Sequence, residues 1–251
     1  MKHYELTNET TIAENGETLH RIRATRDIPS HNVTTGDLGG WLGDNAILNN
    51  NAWVCDEAQV YGNANLYGYA RVGDQACVYG HACVYDNACV YGRAHVYDNA
   101  CVYDNAYVHG FSKVYQCASV YDKAHIHSNA EVYGNAEVYG DSRAYGVAHL
   151  YGYVRMSGDA TVLNDADISS NNHVLTVDKV GSENSALTLF RTRTGHRLKV
   201  GCWSGTVDRL MNEVRRRRDL YWDDNPRADQ WEDEYKVLEA LCKVRIASWG
   251  D

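Results

Sequence analysis

The chain has 251 residues, with 33 acidic against 24 basic side chains, a formal net charge of −9, and 19 Tyr beside only 2 Phe and 2 Pro. Such an acidic chain is a poor direct ligand for nucleic acid, whose phosphates are held by Lys and Arg, and it contains no run of about 18 apolar residues to span a membrane. Met1-Lys2-His3-Tyr4-Glu5 is followed by no apolar leader, and the eight Cys have no Cys-x-x-Cys or metal-ligand spacing, so a cytoplasmic protein with reduced thiols, no metal and no cofactor is expected.

Residues 1–39 read as an N-terminal β-hairpin cap. Asn15-Gly16 is a tight-turn dipeptide, which favours a hairpin between strands near Thr10–Ala13 and Thr18–Thr25. A repeat array needs such a cap, because its first coil exposes core and an unpaired strand edge. Gly36–Gly40 would let the chain turn sharply into that coil.

From Ala46 to Asn171 one six-residue phrase recurs without interruption: a small residue, a variable one, an aliphatic, usually Tyr, then Gly or Asp, then a polar residue. The small slot falls on every sixth residue from Ala46 to Ala166, 21 positions, and departs from Ala only at Ser112, Ser142 and Val154. The aliphatic slot runs from Leu48 to Ile168 and weakens only at Ala144. Gly40–Asn45 reads as one degenerate copy in the same register, so the array is taken as residues 40–171. Within each copy the small and aliphatic residues alternate with outward ones, which is strand periodicity. Val and Tyr favour strands, whereas Gly, Asn and Asp tolerate a sharp corner. A strand of about four residues and a two-residue corner, repeated with one polarity, makes a solenoid with flat sides rather than hairpins. A corner leaves inward space only for a small side chain, hence Ala. Charge follows the same division: net −2 over residues 1–40, −8 over 41–170 and +1 over 171–251.

The phrase Val-Tyr-Gly-Asn-Ala-x at Val60–Asn65 and Val132–Glu137 resembles the hexapeptide repeat of left-handed parallel β-helices. That resemblance implies the handedness and the three-sided section, and hence an all-β solenoid, a left-handed three-sided parallel β-helix of about seven coils. Gly39-Gly40-Trp41 ahead of the array is similar to the turn that opens small bacterial and phage-borne hexapeptide-repeat proteins of the polymer-forming kind. Many of those carry a transferase label by repeat alone, and fold does not fix function.

With three hexads per coil, residues 18 apart share a column. The Tyr slot then gives a first column of Tyr61, Tyr79, Tyr97, Tyr115, Tyr133 and Tyr151, and a second of Tyr67, Tyr85, Tyr103, Tyr121 and Tyr139. The third is mixed: Gly73, Tyr91, His109, His127, Tyr145. Stacked Tyr rings support a sheet by cross-strand packing. A long exposed aromatic stripe is also a contact surface, for a second copy of the chain or for a host protein. Cys83 and Cys101 should sit one above the other as free thiols. Asp86, Asp104 and Asp122 stack at corners, where they would cap backbone amides.

Acyltransferases of the resembled family use a histidine base at a trimer boundary with an acyl-coenzyme A donor. His95, His125 and His149 here fall in the outward variable slot, His109 and His127 in the Tyr slot and His81 at a corner, and no hexad is interrupted by a loop that would wall a pocket. An acidic mimic of nucleic acid would need the solenoid's acids on one face, but Arg71, Arg93, Lys113, Lys123, Arg143 and Arg155 are scattered among them.

Residues 172–251 lose the period and read as a small α+β domain. Strands are expected over His173–Val180, Ala186–Phe190 and Arg197–Trp203. A helix capped by Thr206 would begin at Val207, and a second would begin at Pro226 with Asn225 as its cap. Gly201–Thr206 ahead of a helix resembles a C-terminal module of phage and prophage proteins. Arg215, Arg216, Arg217 and Arg218 form the one concentrated basic run. They suit a helix C-terminus or an anchor for an acidic partner. The expected function is a non-enzymatic protein-binding or scaffold solenoid, phage-associated by resemblance and able to inhibit a host defence or regulatory protein by covering it. The acyltransferase is the alternative, and the acidic mimic a weaker one.

Overall fold

The computed structural model describes residues 2–222 and 224–249. Its centre is a parallel β-solenoid of about seven turns. Each hexad supplies a ladder-paired strand of only two residues, such as Gln59–Val60, Cys83–Val84 and Arg71–Val72. That is shorter than the four expected, because the Tyr-slot residue already belongs to the turn: Ala88 N–H donates to Tyr85 O at 3.2 Å. Every corner from Asn50 to Asn164 lies in the left-handed region, with φ between 55° and 77°. Only Gly, Asn and Asp enter that region readily, which explains the composition of the slot.

The strands fall into three sheets, one of ten strands and two of seven, and each solenoid strand pairs in parallel with the one 18 residues on, as Cys83 does with Cys101. The N–H groups of Gln59, Cys77 and His95 reach the carbonyls of Ala76, Ala94 and Ser112 at 2.9 Å. The small and aliphatic slots fill the interior, and Ala58, Val60, Ala64, Leu66, Ala70 and Val72 are 0% exposed. Burying one such aliphatic side chain contributes about 1.5–3 kcal/mol, repeated three times per turn. Ser112 and Ser142 are tolerated in the Ala slot because their hydroxyls donate to His109 O and Tyr139 O at 2.8 and 2.7 Å.

The N-terminal strands, Tyr4–Ile12 and Thr18–Ala24, form an antiparallel hairpin, and the second pairs antiparallel with Leu38–Gly43. Leu38–Gly43 then pairs in parallel with Gln59–Val60, so the hairpin extends the first solenoid sheet. The first strand starts six residues before the expected Thr10, and a register shift between Leu6 and Thr10 interrupts the ladder that joins the two halves. Gly39 and Gly40 serve close approach rather than a turn: a Cβ on either would stand 2.6 Å from the carbonyl oxygen of Val54 or Ala58.

At the other end, Val174–Val180, Ser185–Thr192, Gly195–Val200 and Trp203–Gly205 make a four-stranded antiparallel sheet, one strand more than expected. Phe190 is fully buried in the solenoid's own core. Thr161 N–H donates to Thr188 Oγ1 at 3.1 Å and Arg193 N–H to Asp165 O at 3.2 Å, so this sheet closes the last coil. Its other face packs Leu187, Leu189, Leu198 and Val200 against Val207, Leu210, Val214, Tyr235 and Leu238. Helix α1 spans Leu210–Arg217, after a 3₁₀ turn over Val207–Arg209. Thr206 makes no side-chain cap; its backbone carbonyl accepts Arg209 N–H at 3.0 Å, and Val207 N–H goes to His196 Nε2 at 3.1 Å. Helix α2 spans Ala228–Ala247, starting two residues after Pro226, and the turn ahead of it is held by Asn225, whose Oδ1 accepts Arg227 N–H at 3.0 Å as a cap would. Among the described residues no helix is long and apolar enough to cross a membrane.

Candidate protein-binding faces

The ladder sets the site's geometry, since strands about 4.8 Å apart place side chains 18 residues apart in contact. In the first Tyr column, five steps from Tyr61 through Tyr79, Tyr97, Tyr115 and Tyr133 to Tyr151 have ring centroids 4.9–5.1 Å apart. In the second, four steps from Tyr67 through Tyr85, Tyr103 and Tyr121 to Tyr139 measure 4.7–4.8 Å with planes within 6° of parallel. The rings cover one another's faces, so most are half-buried with their edges outward. Burial raises the phenol pKa values, to about 12 at Tyr79 and Tyr103.

The two columns differ in what surrounds them. The hairpin covers the top of the first, where Tyr61 packs with Ala13 and Leu19. Its neighbouring outward slot is titratable further down, with His95, Lys113, Glu131 and His149 in one line. Lys113 and Tyr115 both bind the Glu131 carboxylate at 3.1 Å. The second column begins with Tyr67 at 37% exposure. Beside it run Ile47, Asn65, Cys83, Cys101 and Ser119, five small or uncharged residues in register. In that slot charge enters only at the lower end, where Glu137 accepts from Tyr121 Oη at 3.1 Å and pairs with Arg155 at 3.2 Å; on the other side the corner acids Asp86, Asp104 and Asp122 follow the rings in sequence. All eight Cys are free thiols.

The third column proves aromatic over most of its length. Tyr91, His109, His127 and Tyr145 stack at 4.7, 5.0 and 4.8 Å; reading it by residue type hid that imidazole substitutes for phenol as a flat ring. Burial, and next the neighbouring His127 and His125, hold the His109 pKa below its ordinary value. His127 is lowered by burial and then by His125 and Arg143. Above Tyr91 the column is vacant, because Gly73 has no side chain. Two of the three stacked corner acids cap amides: Asp104 Oδ2 accepts Asp122 N–H at 3.4 Å and Asp122 Oδ2 accepts Gly140 N–H at 3.1 Å, whereas the Asp86 carboxylate makes no such bond among the described residues. The same pattern runs from Asp56 through Asp74 to Gly92, unremarked in the sequence because Asn and Gly share the slot. No group of three or more His, Cys, Asp or Glu among the described residues is placed to hold a metal ion.

The basic run is spread around the C-terminal module. Arg216 and Arg217 both bind Glu213, at 2.7 and 2.9 Å, and Arg217 also binds Glu183 at 3.0 Å. Hydrogen bonds from Arg216 and Arg217 hold the Glu213 pKa down to about 2. Arg218 binds Asp229 at 2.5 Å and also Glu232. Arg215 alone is exposed and outside these ion pairs. Compared with family models and with curated proteins, the chain matches none.

Proposed function

We propose that the protein is a non-enzymatic protein-binding scaffold, its solenoid a left-handed, three-sided β-helix that offers the second Tyr column as a docking platform. The observation that carries this reading is the juxtaposition of an unbroken stack, Tyr67 to Tyr139, with the uncharged line Ile47, Asn65, Cys83, Cys101 and Ser119. Interface cores are enriched in Tyr and depleted of charge. Rings already held by stacking lose little side-chain freedom on contact. The partner this surface suits best is a second copy of the chain. Residues 41–170 carry a net charge of −8, so two solenoids repel least along the neutral line, with the corner acids Asp86, Asp104 and Asp122 kept to its flank. The trimer implied by the transferase resemblance, and a host protein covered by this face as the phage resemblance implies, are the other partners of the same reading. The His stack does not favour an acyltransferase, because both ring faces of His109 are covered by Tyr91 and His127.

Light scattering on the wild type and on Cys101→Arg/Ser119→Arg tests the proposal, since both positions are half-exposed and neither belongs to the ring stack. A wild-type oligomer that falls to monomer in the folded variant supports it. Equal masses for the two proteins remove self-association through this face.

A further inference from the structure

The vacancy at Gly73 is a recess of about 310 Å³ whose lining includes Asp56, Arg71, Asp74, Tyr91 and Tyr107. Below it the third column carries four rings in succession, Tyr91, His109, His127 and Tyr145, before Leu163, and Tyr91 stacks on His109 at 4.7 Å. The opposite face of Tyr91 has no stacked ring among the described residues. Arg71 lies in the adjacent outward slot, directly above Cys89 and Tyr107 in the ladder. It is exposed, and its guanidinium stands beside the Cys55 thiol with Asp56 further off. Asp56 and Asp74 bound the corner side, and each commits Oδ2 to a backbone amide, Asp74 N–H at 3.2 Å and Gly92 N–H at 2.8 Å.

We propose that this recess binds a small aromatic acid, its ring continuing the stack on Tyr91 and its acid group paired with Arg71. Three features select that class. The slot is the rung directly above four that hold flat six- or five-membered rings, so it fits a single planar ring. Offset stacking on Tyr91 favours an aromatic ring over an aliphatic one. Arg71 supplies a fork that matches a carboxylate. The two corner carboxylates repel the acid group from their side and accept a hydrogen bond from a hydroxyl or amine at the far end of the ring. The site is on the third sheet and the Tyr platform on the second, so neither test bears on the other.

The probe is 4-hydroxyphenylacetate, titrated by NMR into the full chain, with phenol and acetate as half-ligands. Saturable binding about tenfold tighter than either half-ligand, perturbing the Tyr91 ring signals, is the expected result. Arg71→Gln should bring it to the level of phenol. Gly73→Tyr fills the rung with the chain's own ring and should abolish it; the nearest neighbour of the new Cβ is the Cys55 thiol, 2.8 Å away, so that side chain must shift to admit the ring. Tyr91→Leu, which removes the stacking surface, gives the same readout if Gly73→Tyr does not fold. Absence of saturable binding by the wild type, or binding unchanged in Gly73→Tyr or in Tyr91→Leu, overturns the assignment.

Discussion

Asp122 holds the corner of the next coil: its Oδ2 accepts the N–H of Gly140, 18 residues on, at 3.1 Å, while its own backbone sits at φ 57°. The residue therefore does two jobs, tolerating a left-handed backbone and capping an amide. Substitutions separate them. Asp122→Asn keeps both and should leave stability within about 0.5 kcal/mol of wild type. Asp122→Gly keeps the backbone freedom and loses the cap, about 1 kcal/mol. Asp122→Ala loses both, and the left-handed backbone alone costs about 1–2 kcal/mol, so it should be the least stable. Urea midpoints in the order Asn, Gly, Ala check this; an Ala variant as stable as Asn would show that the corner is not held in this conformation.

Tyr103 lies between Tyr85 at 4.7 Å and Tyr121 at 4.8 Å. Tyr103→Ala removes two stacking contacts, each worth about 0.5–1.5 kcal/mol, and should lower stability by about 1–3 kcal/mol. Tyr103→His should recover much of that, since His109 occupies the equivalent place in the third column between Tyr91 and His127. Thermal unfolding of the three proteins makes the comparison. Equal losses for Ala and His would mean that the phenol, rather than the flat ring, is what the column requires.

The solenoid was legible because each hexad position has one local role, repeated until the pattern exceeds chance: Ala and Val inward, Gly or Asp at φ above 50°. Registers 18 apart followed once three hexads were assigned to a turn, and the Tyr columns followed from that. Features with no period were not legible. Nothing near Phe190 marks it as a plug for a core built 20 or more residues earlier. The partners of Arg217 and Arg218 include Glu183 and Asp229, which the fold brings in from both sides of the run. Thr206 suits a cap by residue type, but nothing local shows that its backbone carbonyl rather than its hydroxyl accepts Arg209 N–H, or that distant His196 takes the Val207 amide. The two solenoid faces were equivalent on the Tyr pattern alone. They diverge only when the outward slots are lined up, His95–Lys113–Glu131 on one and Cys83–Cys101–Ser119 on the other.

Stability should fall as the pH drops below the ordinary histidine pKa of about 6.5. Burial is the main cause of the lowered pKa values of His109 and His127, and each is lowered further by His125. The unfolded chain then binds protons that the folded chain refuses, so unfolding gains free energy as pH falls through the window between the unfolded and folded values. Above pH 6.5 these groups are neutral in both states and the effect vanishes. His109→Tyr/His127→Tyr keeps the stack and removes the titration, so its melting temperature should fall less steeply between pH 7 and 5 than that of the wild type. The slope is reduced rather than abolished, because His31, His95 and His173 are also lowered, chiefly by burial. Identical slopes for the two proteins would place the pH dependence elsewhere.

Phe190 is 0% exposed and belongs to the solenoid core although its strand belongs to the C-terminal sheet. Phe190→Ala leaves a ring-sized cavity against the last coil and should cost about 3–5 kcal/mol of local stability. In a linear array that loss is not shared evenly, because each coil contacts only its neighbours. Amide exchange should therefore accelerate first at Arg143, His149 and Tyr151, whose N–H groups bond to carbonyls of the last coil at Ala160, Ala166 and Ile168. It should remain slow at Cys83 and Cys89, whose acceptors Ala100 and Ala106 are several turns away. Uniform acceleration along the solenoid would mean instead that the sheet holding Phe190 and the coils unfold as one cooperative unit.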